Sequence, residues 1–209
     1  MQIIVVGCKH REPVITAYLP EYRLSVTPDY DLPVDFKPLK KYVCWTNYLR
    51  DKRLDDHSYL GHYRCYRGHV DALLTVTEPT LVFEDDCLPK DGWMKTVEAA
   101  LPHLSRWPII SLHGRGVNYL NFRKQVEIMP SVSVYAAQNH KWWRETVQYV
   151  AGSTLAYLVT PEMAQKLCRL EYRGLPIDLT IASRKEFGLV GNSPFIHDPD
   201  KDKSILEKI

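Results

Sequence analysis

Residues 80–89 read TLVFEDDCLP, and the interpretation of the whole chain starts from this stretch. Leu81, Val82 and Phe83 form a short apolar run between two prolines, which is typical of a strand covered on both faces. The run ends in three adjacent carboxylates at residues 84–86, which repel one another unless cations, backbone donors or solvent offset them. Ligands bind beyond the carboxyl ends of strands in open α/β sheets, and Mg²⁺ or Mn²⁺ joins carboxylates to phosphates. The stretch therefore predicts a metal–diphosphate platform, with a solvated acidic turn as the alternative.

Composition is that of an ordinary globular protein. The 209 residues, 45% of them hydrophobic and 25% charged, predict one domain over residues 1–209 with a single sizeable core. The formal charge of +2 is too small to imply nucleic acid by itself. The five cysteines are scattered without a CxxC pair, which argues against a disulfide framework or a structural zinc site and favours a reducing compartment.

Targeting segments are not evident in the sequence. The opening apolar run is too short for a signal peptide, and charged residues follow it at once. No stretch approaches the ~20 apolar residues that span a bilayer. We therefore expect a cytoplasmic protein without a transmembrane segment.

Short apolar runs alternate with helical patterns along the chain. Residues 2–7, 108–112 and 152–159 predict buried strands, and residues 59–77 carry apolar side chains at the three- and four-residue steps of a helix. Residues 160–161, Thr-Pro, predict a further helix start, because a hydroxyl caps helices and proline suits the first helical position. No internal repeat is present. The alternation predicts an α/β fold with a mixed, mostly parallel central sheet flanked by helices.

Two further helix assignments depend on single residues. Asp91 is predicted to cap a helix that carries Trp93 on its apolar side. Pro176 permits another helix, which we expect to run to Phe187 and to hold Asp178 in its first turn, where the helix dipole favours a carboxylate. A capping role explains Asp178 as well as a chemical one does. Residues 118–129 show no clear pattern.

Two groups of polar residues adjoin these elements. The first predicted strand leads into GCKHR at residues 7–11, the type of turn that often meets a nucleotide in α/β folds, although surface charge is the commoner explanation. His62, Cys65 and His69 share one face of the predicted helix. They are either Cys/His metal ligands or, as we favour, packed and hydrogen-bonded residues under the sheet.

Aromatic and basic residues adjoin one another in two stretches. Lys141, Trp142, Trp143 and Arg144 are consecutive, and two adjacent tryptophans cannot both face one core. Flat rings beside cations suit stacking on a sugar or a base, although a lid or packing role is at least as well supported. Residues 50–53 add further cations.

Three blocks in this order carry a resemblance to a known family. Residues 61–74, GHYRCYRGHVDALL, are similar to a family helix with Cys65 and His69 in place, although Gly68 stands where the family has serine. Residues 81–86, LVFEDD, are similar to its Leu-Ile-Leu-Glu-Asp-Asp strand, and residues 156–178 to its Ala-Tyr-Leu-Ile-Ser and Pro-Val-Asp motifs. The chain thereby resembles glycosyltransferase family 25, the lipooligosaccharide and collagen-type galactosyltransferases.

The resemblance implies a fold, a donor and a metal. It implies a GT-A fold, which is Rossmann-like and binds nucleotide-sugars, with a UDP-sugar as the expected donor, Mn²⁺ or Mg²⁺ as the cation, and transfer with inversion. Asp86 is then predicted as the first metal ligand. Glu84 would contact the metal, a metal-bound water or the ribose, and His197 would supply a third contact unless it is a plain surface histidine.

The remaining roles follow from the same resemblance. An inverting transfer needs a general base on the side of the sugar away from the diphosphate, and Asp178 is predicted for it, with Asp85 as the rival. Guanidinium groups pair well with phosphates. The residues expected to meet the nucleotide are Gly7, Arg11, Arg64, Arg67 and Glu84.

The acceptor stays open at this point. The resemblance favours a saccharide, such as a lipooligosaccharide core, inside a bacterial or phage-infected cell. The aromatic and basic stretches also suit DNA that carries hydroxymethylated pyrimidines, whose primary hydroxyl permits the same chemistry. Two other classes are alternatives. One is a silent module that binds sugars or nucleotides. The other is a phosphoester hydrolase, although this sequence lacks the further carboxylates and histidines of a two-metal site. The sequence leaves the oligomeric state undetermined.

Overall fold

In the computed structural model of the chain, the described residues are 1–8, 13–34, 56–113, 122–137, 154–172, 177–182 and 186–198. The strands are β1 (Gln2–Cys8), β2 (Arg23–Thr27), β3 (Thr80–Glu84), β4 (Cys87–Pro89), β5 (Ile109–Ser111), β6 (Phe122–Met129), β7 (Val132–Ala137), β8 (Ala156–Val159), β9 (Phe187–Val190) and β10 (Phe195–His197). The α-helices are α1 (Asp56–Leu73), α2 (Trp93–Ala100), α3 (Pro161–Cys168) and α4 (Ile177–Ala182). Two short 3-10 helices cover Val14–Tyr18 and Leu101–Ser105.

An eight-stranded sheet organises these elements, in the order β2-β1-β3-β8-β5-β9-β7-β6. β1 pairs in parallel with β2 and β3, and β5 pairs in parallel with β9. β8 is antiparallel to β3 and β5, and β7 is antiparallel to β6 and β9. The predicted mixed α/β sheet is thereby confirmed, and β7 and β8 run against the direction of the other strands. A separate two-stranded sheet pairs β4 with β10.

The core lies on both faces of this sheet because side chains alternate along each strand. On β3, Val82 faces a cluster that contains residues of α1, α3 and α4. Leu81 and Phe83 face the opposite cluster, which contains residues of α2, β4 and β10. All three side chains are fully buried. The predicted strand with both faces covered is confirmed, and it lies near the centre of the sheet.

The predicted helices differ from the observed ones mainly at their ends. Thr160 caps α3 as expected, because its hydroxyl accepts a hydrogen bond from the Met163 N–H at 3.3 Å. The prediction for Asp91 was wrong: Gly92 precedes α2 with a left-handed φ of 75° and no side chain caps the helix. The long helix, predicted over residues 59–77, ends at Leu73.

The helix predicted through Phe187 was also wrong. α4 ends at Ala182, and Phe187 begins β9. Phe187 and Leu189 are buried in the cluster shared with α1, so pairing with β5 buries them where a longer helix would not. β6, over residues without a clear sequence pattern, is the outer strand of the sheet and exposes charged side chains, as edge strands commonly do.

Helix α1 packs closely against the end of β2 at Gly68. A Cβ added there would lie 2.1 Å from Thr27 Oγ1 and 3.1 Å from Thr27 Cβ and Cγ2. These atoms belong to a branched side chain close to its backbone, so they have little freedom to move away. A residue larger than glycine at position 68 would therefore overpack this contact.

We expect Gly68→Ser to destabilise the protein by about 1–3 kcal/mol because it overpacks this contact. Gly61→Ser, on the same helix, is the matched control, since no atom of the described residues lies within 4 Å of a Cβ at Gly61. Urea denaturation measures both, and adding Thr27→Ala to Gly68→Ser is expected to recover part of the loss. Equal stability of the two serine variants would contradict the packing argument.

None of the helices in the described ranges is both long and apolar enough to cross a bilayer.

Candidate functional site

The acidic turn lies at the edge of the sheet where its parallel strands end. Val6 of β1 pairs with Glu84 of β3, so Gly7 lies beside the residue that follows Glu84. A Cβ on Gly7 would be 3.7 Å from Asp85 Cβ. The two turns that the sequence selected are therefore neighbours at the carboxyl edge, where α/β sheets bind ligands.

Backbone hydrogen bonds from three separate segments hold this turn. The Glu84 N–H donates to the Leu155 carbonyl at 3.0 Å, just before β8. The carbonyls of Asp85 and Asp86 accept from the N–H groups of Val14 at 3.0 Å and Asp198 at 2.9 Å. Because each residue of the turn is bound to a different part of the fold, the three carboxylates start from fixed backbone positions.

Glu84 belongs to a buried hydrogen-bonded network. Its Oε1 lies 3.1 Å from His69 Nε2 and also accepts from the Thr154 hydroxyl. The other ring nitrogen, His69 Nδ1, is 3.0 Å from the Tyr157 hydroxyl. His69 is fully buried, Tyr157 is 1% exposed, and the Glu84 side chain is 20% exposed. These contacts agree with the preferred interpretation of His69 as a hydrogen-bonded residue under the sheet.

The direction of these hydrogen bonds follows from burial. Desolvation raises the pKa of Tyr157 well above its ordinary value, and the charge of Glu84 acts in the same direction. The phenol therefore stays protonated. With a neutral His69, Nε2–H donates to the Glu84 carboxylate and Nδ1 accepts from the Tyr157 O–H. The network thus fixes both the tautomer of His69 and the orientation of Glu84.

Removing one end of this network is expected to destabilise the fold. Tyr157→Phe keeps the ring but leaves His69 Nδ1 buried without its donor, which costs about 1–3 kcal/mol. Tyr18→Phe is the control, because Tyr18 is 53% exposed. Chemical denaturation of both variants checks the prediction, and an unchanged midpoint for Tyr157→Phe would show that the bond contributes nothing to stability.

Cys65 of α1 lies within electrostatic range of four acids. The residue is open to solvent, yet protein surrounds the thiol closely enough that desolvation raises its pKa well above the ordinary value. Negative charges raise it further, in the order Glu84, Asp178, Asp86 and Asp85. Asp178, from the first turn of α4, is therefore within electrostatic range of the same thiol as the acidic turn.

The acids differ in how far they reach solvent. Asp85 is 8% exposed and lies against Gly7, whereas Asp86 and Asp178 are partly exposed. A ligand from solution thus reaches Glu84, Asp86 and Asp178 more easily than Asp85. The structure brings Gly7, Glu84, Asp85, Asp86 and Asp178 to one edge of the fold, and their individual roles stay predictions.

Two predicted phosphate ligands, Arg64 and Arg67, have contacts elsewhere. Arg64 Nε donates to the Tyr30 carbonyl at 2.9 Å. The Arg67 guanidinium lies 5.0 Å from the centre of the Tyr30 ring and 3.4 Å from Asp71. These contacts hold Tyr30 against α1, and a phosphate contact by either arginine stays a prediction.

Other predicted residues are placed only in part. The backbone of His197 pairs with Cys87, directly after the acidic turn, so its position agrees with the prediction of a third metal contact without testing it. Arg11, the cations of residues 50–53 and residues 141–144 lie outside the described residues. The aromatic and basic features that suggested DNA therefore gain no structural support.

Sequence reasoning missed Thr154 and Tyr157 as parts of the site. Tyr157 lies in an apolar run, where a core role is the natural interpretation, and Thr154 precedes the strand without any motif. What brings Tyr157 to the site is the pairing of β8 beside β3, which places Tyr157 opposite Val82. Such a partner becomes visible only once the strand order is known.

Comparisons with known proteins add little to the geometry. The sequence matches no protein family and no curated protein, so the likeness to glycosyltransferase family 25 rests on the three sequence blocks. One solved structure that the chain resembles is the mannose-1-phosphate geranyltransferase from Thermus thermophilus, at 15% identity and a TM-score of 0.38. The match covers 93% of this chain and 60% of that one. The chain spans less than two thirds of that protein, and so distant a likeness supports no conclusion about activity.

Proposed function

We propose that this chain is a metal-dependent inverting glycosyltransferase that moves a sugar from a nucleoside-diphosphate sugar to an acceptor hydroxyl. The observation that carries the proposal is the position of the acidic turn, residues 84–86, beside Gly7 at the carboxyl edge of the sheet, with Asp178 within electrostatic range of the same Cys65 thiol. The mixed sheet, in which β1 and β3 are neighbours and end at this edge, is compatible with the proposed nucleotide-binding role. A UDP-sugar is the proposed donor.

The carboxylates fit a hard divalent cation. Carboxylate oxygens are the ligands that Mg²⁺ and Mn²⁺ prefer, and these ions commonly use one or two of them together with substrate phosphates. Asp86 is the proposed ligand, because it is partly exposed and its backbone is fixed by Asp198. Such an ion, when bound, stabilises the negative charge that develops on a departing diphosphate.

Glu84 has a different proposed role in the same site. One of its oxygens already accepts hydrogen bonds from His69 and Thr154. That arrangement holds the carboxylate in one orientation, and its proposed role in the transfer is a contact with a metal-bound water or with the ribose. His197 is the proposed third contact, since its backbone lies next to the acidic turn.

Asp178 is the proposed general base. It enters the site from α4, an element different from the acidic turn, and is partly exposed, so an acceptor hydroxyl from solution reaches it more readily than the buried Asp85. A base opposite the leaving group is what an inverting displacement requires. Its negative charge also aligns the attacking hydroxyl by accepting that hydroxyl's hydrogen bond.

Gly7 supports the proposed nucleotide position. A Cβ there would make only ordinary contacts, at 3.5 Å from Leu24, 3.6 Å from Pro13 and 3.7 Å from Asp85. The fold therefore has room for a side chain, and its absence leaves space for a ligand to approach the backbone. A bound nucleotide beside β1 accounts for the glycine.

The proposed acceptor is a saccharide in the cytoplasm of a bacterial or phage-infected cell. Transfer to hydroxymethylated duplex DNA is the competing outcome, and a salt series distinguishes the two acceptors. Phosphate contacts make a DNA reaction fall steeply as salt rises, whereas a neutral oligosaccharide reaction changes little.

A thermal-shift screen of nucleoside diphosphates and nucleotide-sugars, with and without Mn²⁺, tests the donor and the metal together. A ligand present at about 100 times its Kd stabilises the folded state by about 2.7 kcal/mol, which corresponds to roughly 5–10 °C for a chain of this size. We expect such a shift for one nucleotide class, and only with the metal. If no nucleotide shifts the melting temperature and no nucleotide-sugar is hydrolysed or transferred in Mn²⁺, the proposal fails.

A further inference from the structure

A cysteine, a histidine and a glutamate from two elements converge beside the acidic turn. Cys65 and His69 are four residues apart on α1, and Glu84 closes β3. One ligand atom of each, a sulfur, a ring nitrogen and a carboxylate oxygen, lies within 4.8 Å of the other two. The proposed sugar transfer gives a role to Glu84 but none to Cys65.

We propose that Cys65, His69 and Glu84 form a binding site for one divalent cation of borderline softness, represented by Zn²⁺. Zinc is bound by cysteine sulfur, histidine nitrogen and carboxylate oxygen at about 2.0–2.3 Å, which places neighbouring ligand atoms of a tetrahedral site about 3.3–3.8 Å apart. His69 Nε2 and Glu84 Oε1, at 3.1 Å, are already near this spacing. Cys65 Sγ lies within 4.8 Å of both atoms, so it must approach by at most about 1 Å to reach the spacing of a tetrahedral site.

The surroundings of His69 and Glu84 are those of metal ligands. A ligating histidine characteristically uses its second ring nitrogen for a hydrogen bond that fixes its orientation. His69 can make this bond in the zinc-bound state: zinc takes the place of the proton on Nε2, the ring proton moves to Nδ1, and Nδ1–H donates to the Tyr157 hydroxyl oxygen 3.0 Å away, with both side chains buried. Glu84 is similarly held by the Thr154 hydroxyl. Two of the three ligands are therefore preorganised before any ion arrives.

Charge and access favour occupancy by a cation from solution. The carboxylates of Asp85, Asp86 and Asp178 lie within electrostatic range of Cys65 and give this edge a negative potential. Three protein ligands leave the fourth position of a tetrahedral ion for a water or another ligand, and the exposed residue Cys65 gives an ion a route from solution. A site with three protein ligands is an open site, unlike structural zinc sites, in which the protein supplies all four ligands.

Ligand softness separates this site from the proposed Mn²⁺ or Mg²⁺ site. Thiolate and imidazole select zinc, whereas those harder ions prefer oxygen ligands alone. Cys65 and His69 therefore distinguish the two kinds of cation although Glu84 is near both. The zinc site does not depend on the chain being a glycosyltransferase, and its test needs no sugar donor.

The test is a titration of the full chain, stripped with a chelator, with Zn²⁺ by calorimetry and with Co²⁺ by absorption spectroscopy. We expect one equivalent of each ion to bind, with a thiolate-to-cobalt charge-transfer band in the near ultraviolet. Cys65→Ser is expected to abolish the band and to weaken Zn²⁺ binding by at least about 10-fold. Tyr157→Phe is also expected to weaken Zn²⁺ binding by at least about 10-fold, because it removes the hydrogen-bond partner of the second ring nitrogen of His69.

Cys168→Ser is the matched control. Its thiol is partly buried and contacts the Val70 carbonyl, away from the three-residue set. This variant should bind both ions like the parent. Binding that survives Cys65→Ser, a loss as large in Cys168→Ser, or a parent cobalt spectrum without the thiolate band would each overturn the site. The parent spectrum decides the question even if Cys65→Ser proves unstable.

Discussion

Asp86→Asn is expected to lower the rate of sugar transfer about 10³-fold, the scale on which one preorganised electrostatic contact to a developing charge acts. The amide keeps the shape of the side chain but removes the charge that would hold a divalent cation. The turn itself should persist, because the Asp86 carbonyl, and not its side chain, accepts from the Asp198 N–H. Initial rates with saturating donor and Mn²⁺ measure the effect.

The metal dependence separates a lost ligand from a damaged fold. In Asp86→Asn the Mn²⁺-dependent part of the thermal shift with nucleotide should disappear, while the melting temperature without ligand stays near that of the parent. Asp91→Asn is the matched control, since Asp91 is an exposed aspartate in the turn before α2. Asp86→Asn activity within a few-fold of the Asp91→Asn activity would remove Asp86 from the metal site.

The fold was predictable where local pattern and burial agree. The run at residues 81–83 is apolar on both faces and became a central strand, and the Thr-Pro pair at residues 160–161 became a capped helix start. Prediction failed at β6 and at the end of α4, where pairing with another strand decides the outcome. Strand pairing is a long-range property, so no short window of sequence contains it.

The candidate site was predictable in its charged residues and less so in their supports. Three consecutive acids after a strand are visible in the sequence, and so is Asp178. The orientation of Glu84 depends on His69 from α1, on Thr154 just before β8, and, through His69, on Tyr157 in β8. Thr154 lies 70 residues after Glu84 in the sequence, and His69 lies on a separate helix. Only the order of the strands in the sheet brings β8 beside β3.

The two cation sites that we propose differ in which parts of their ligands the fold already holds in place. Glu84 and His69 are already fixed by buried hydrogen bonds, which suits a cation whose ligands must be held at set angles. Asp86 has a fixed backbone and a partly exposed carboxylate, which suits an ion that keeps waters and arrives with a diphosphate. We therefore propose that one acidic turn serves two kinds of coordination, through a Glu84 side chain oriented by hydrogen bonds and an Asp86 side chain on a fixed backbone.

Asp178→Asn is expected to lower kcat by about 10²–10⁴-fold, the contribution of a positioned general base, with donor affinity nearly unchanged. Asparagine cannot take the proton of the acceptor hydroxyl, but it leaves the metal and diphosphate contacts of the acidic turn in place. The thermal shift with nucleotide and Mn²⁺ should therefore match the parent. In the parent, the rate should fall at low pH because the base becomes protonated. This fall should be absent in Asp178→Asn.

A structural role for Asp178 predicts a different set of results, and Glu162→Gln isolates it. Glu162 lies in the first turn of α3, as Asp178 does in α4, so each carboxylate interacts with a helix N-terminus. That interaction contributes about 0.3–1 kcal/mol to stability, and both neutral variants should lose about this much. Only Asp178→Asn should also lose kcat. If both variants keep the parental kcat and its pH profile, Asp178 acts at the helix N-terminus alone and the base must be another residue.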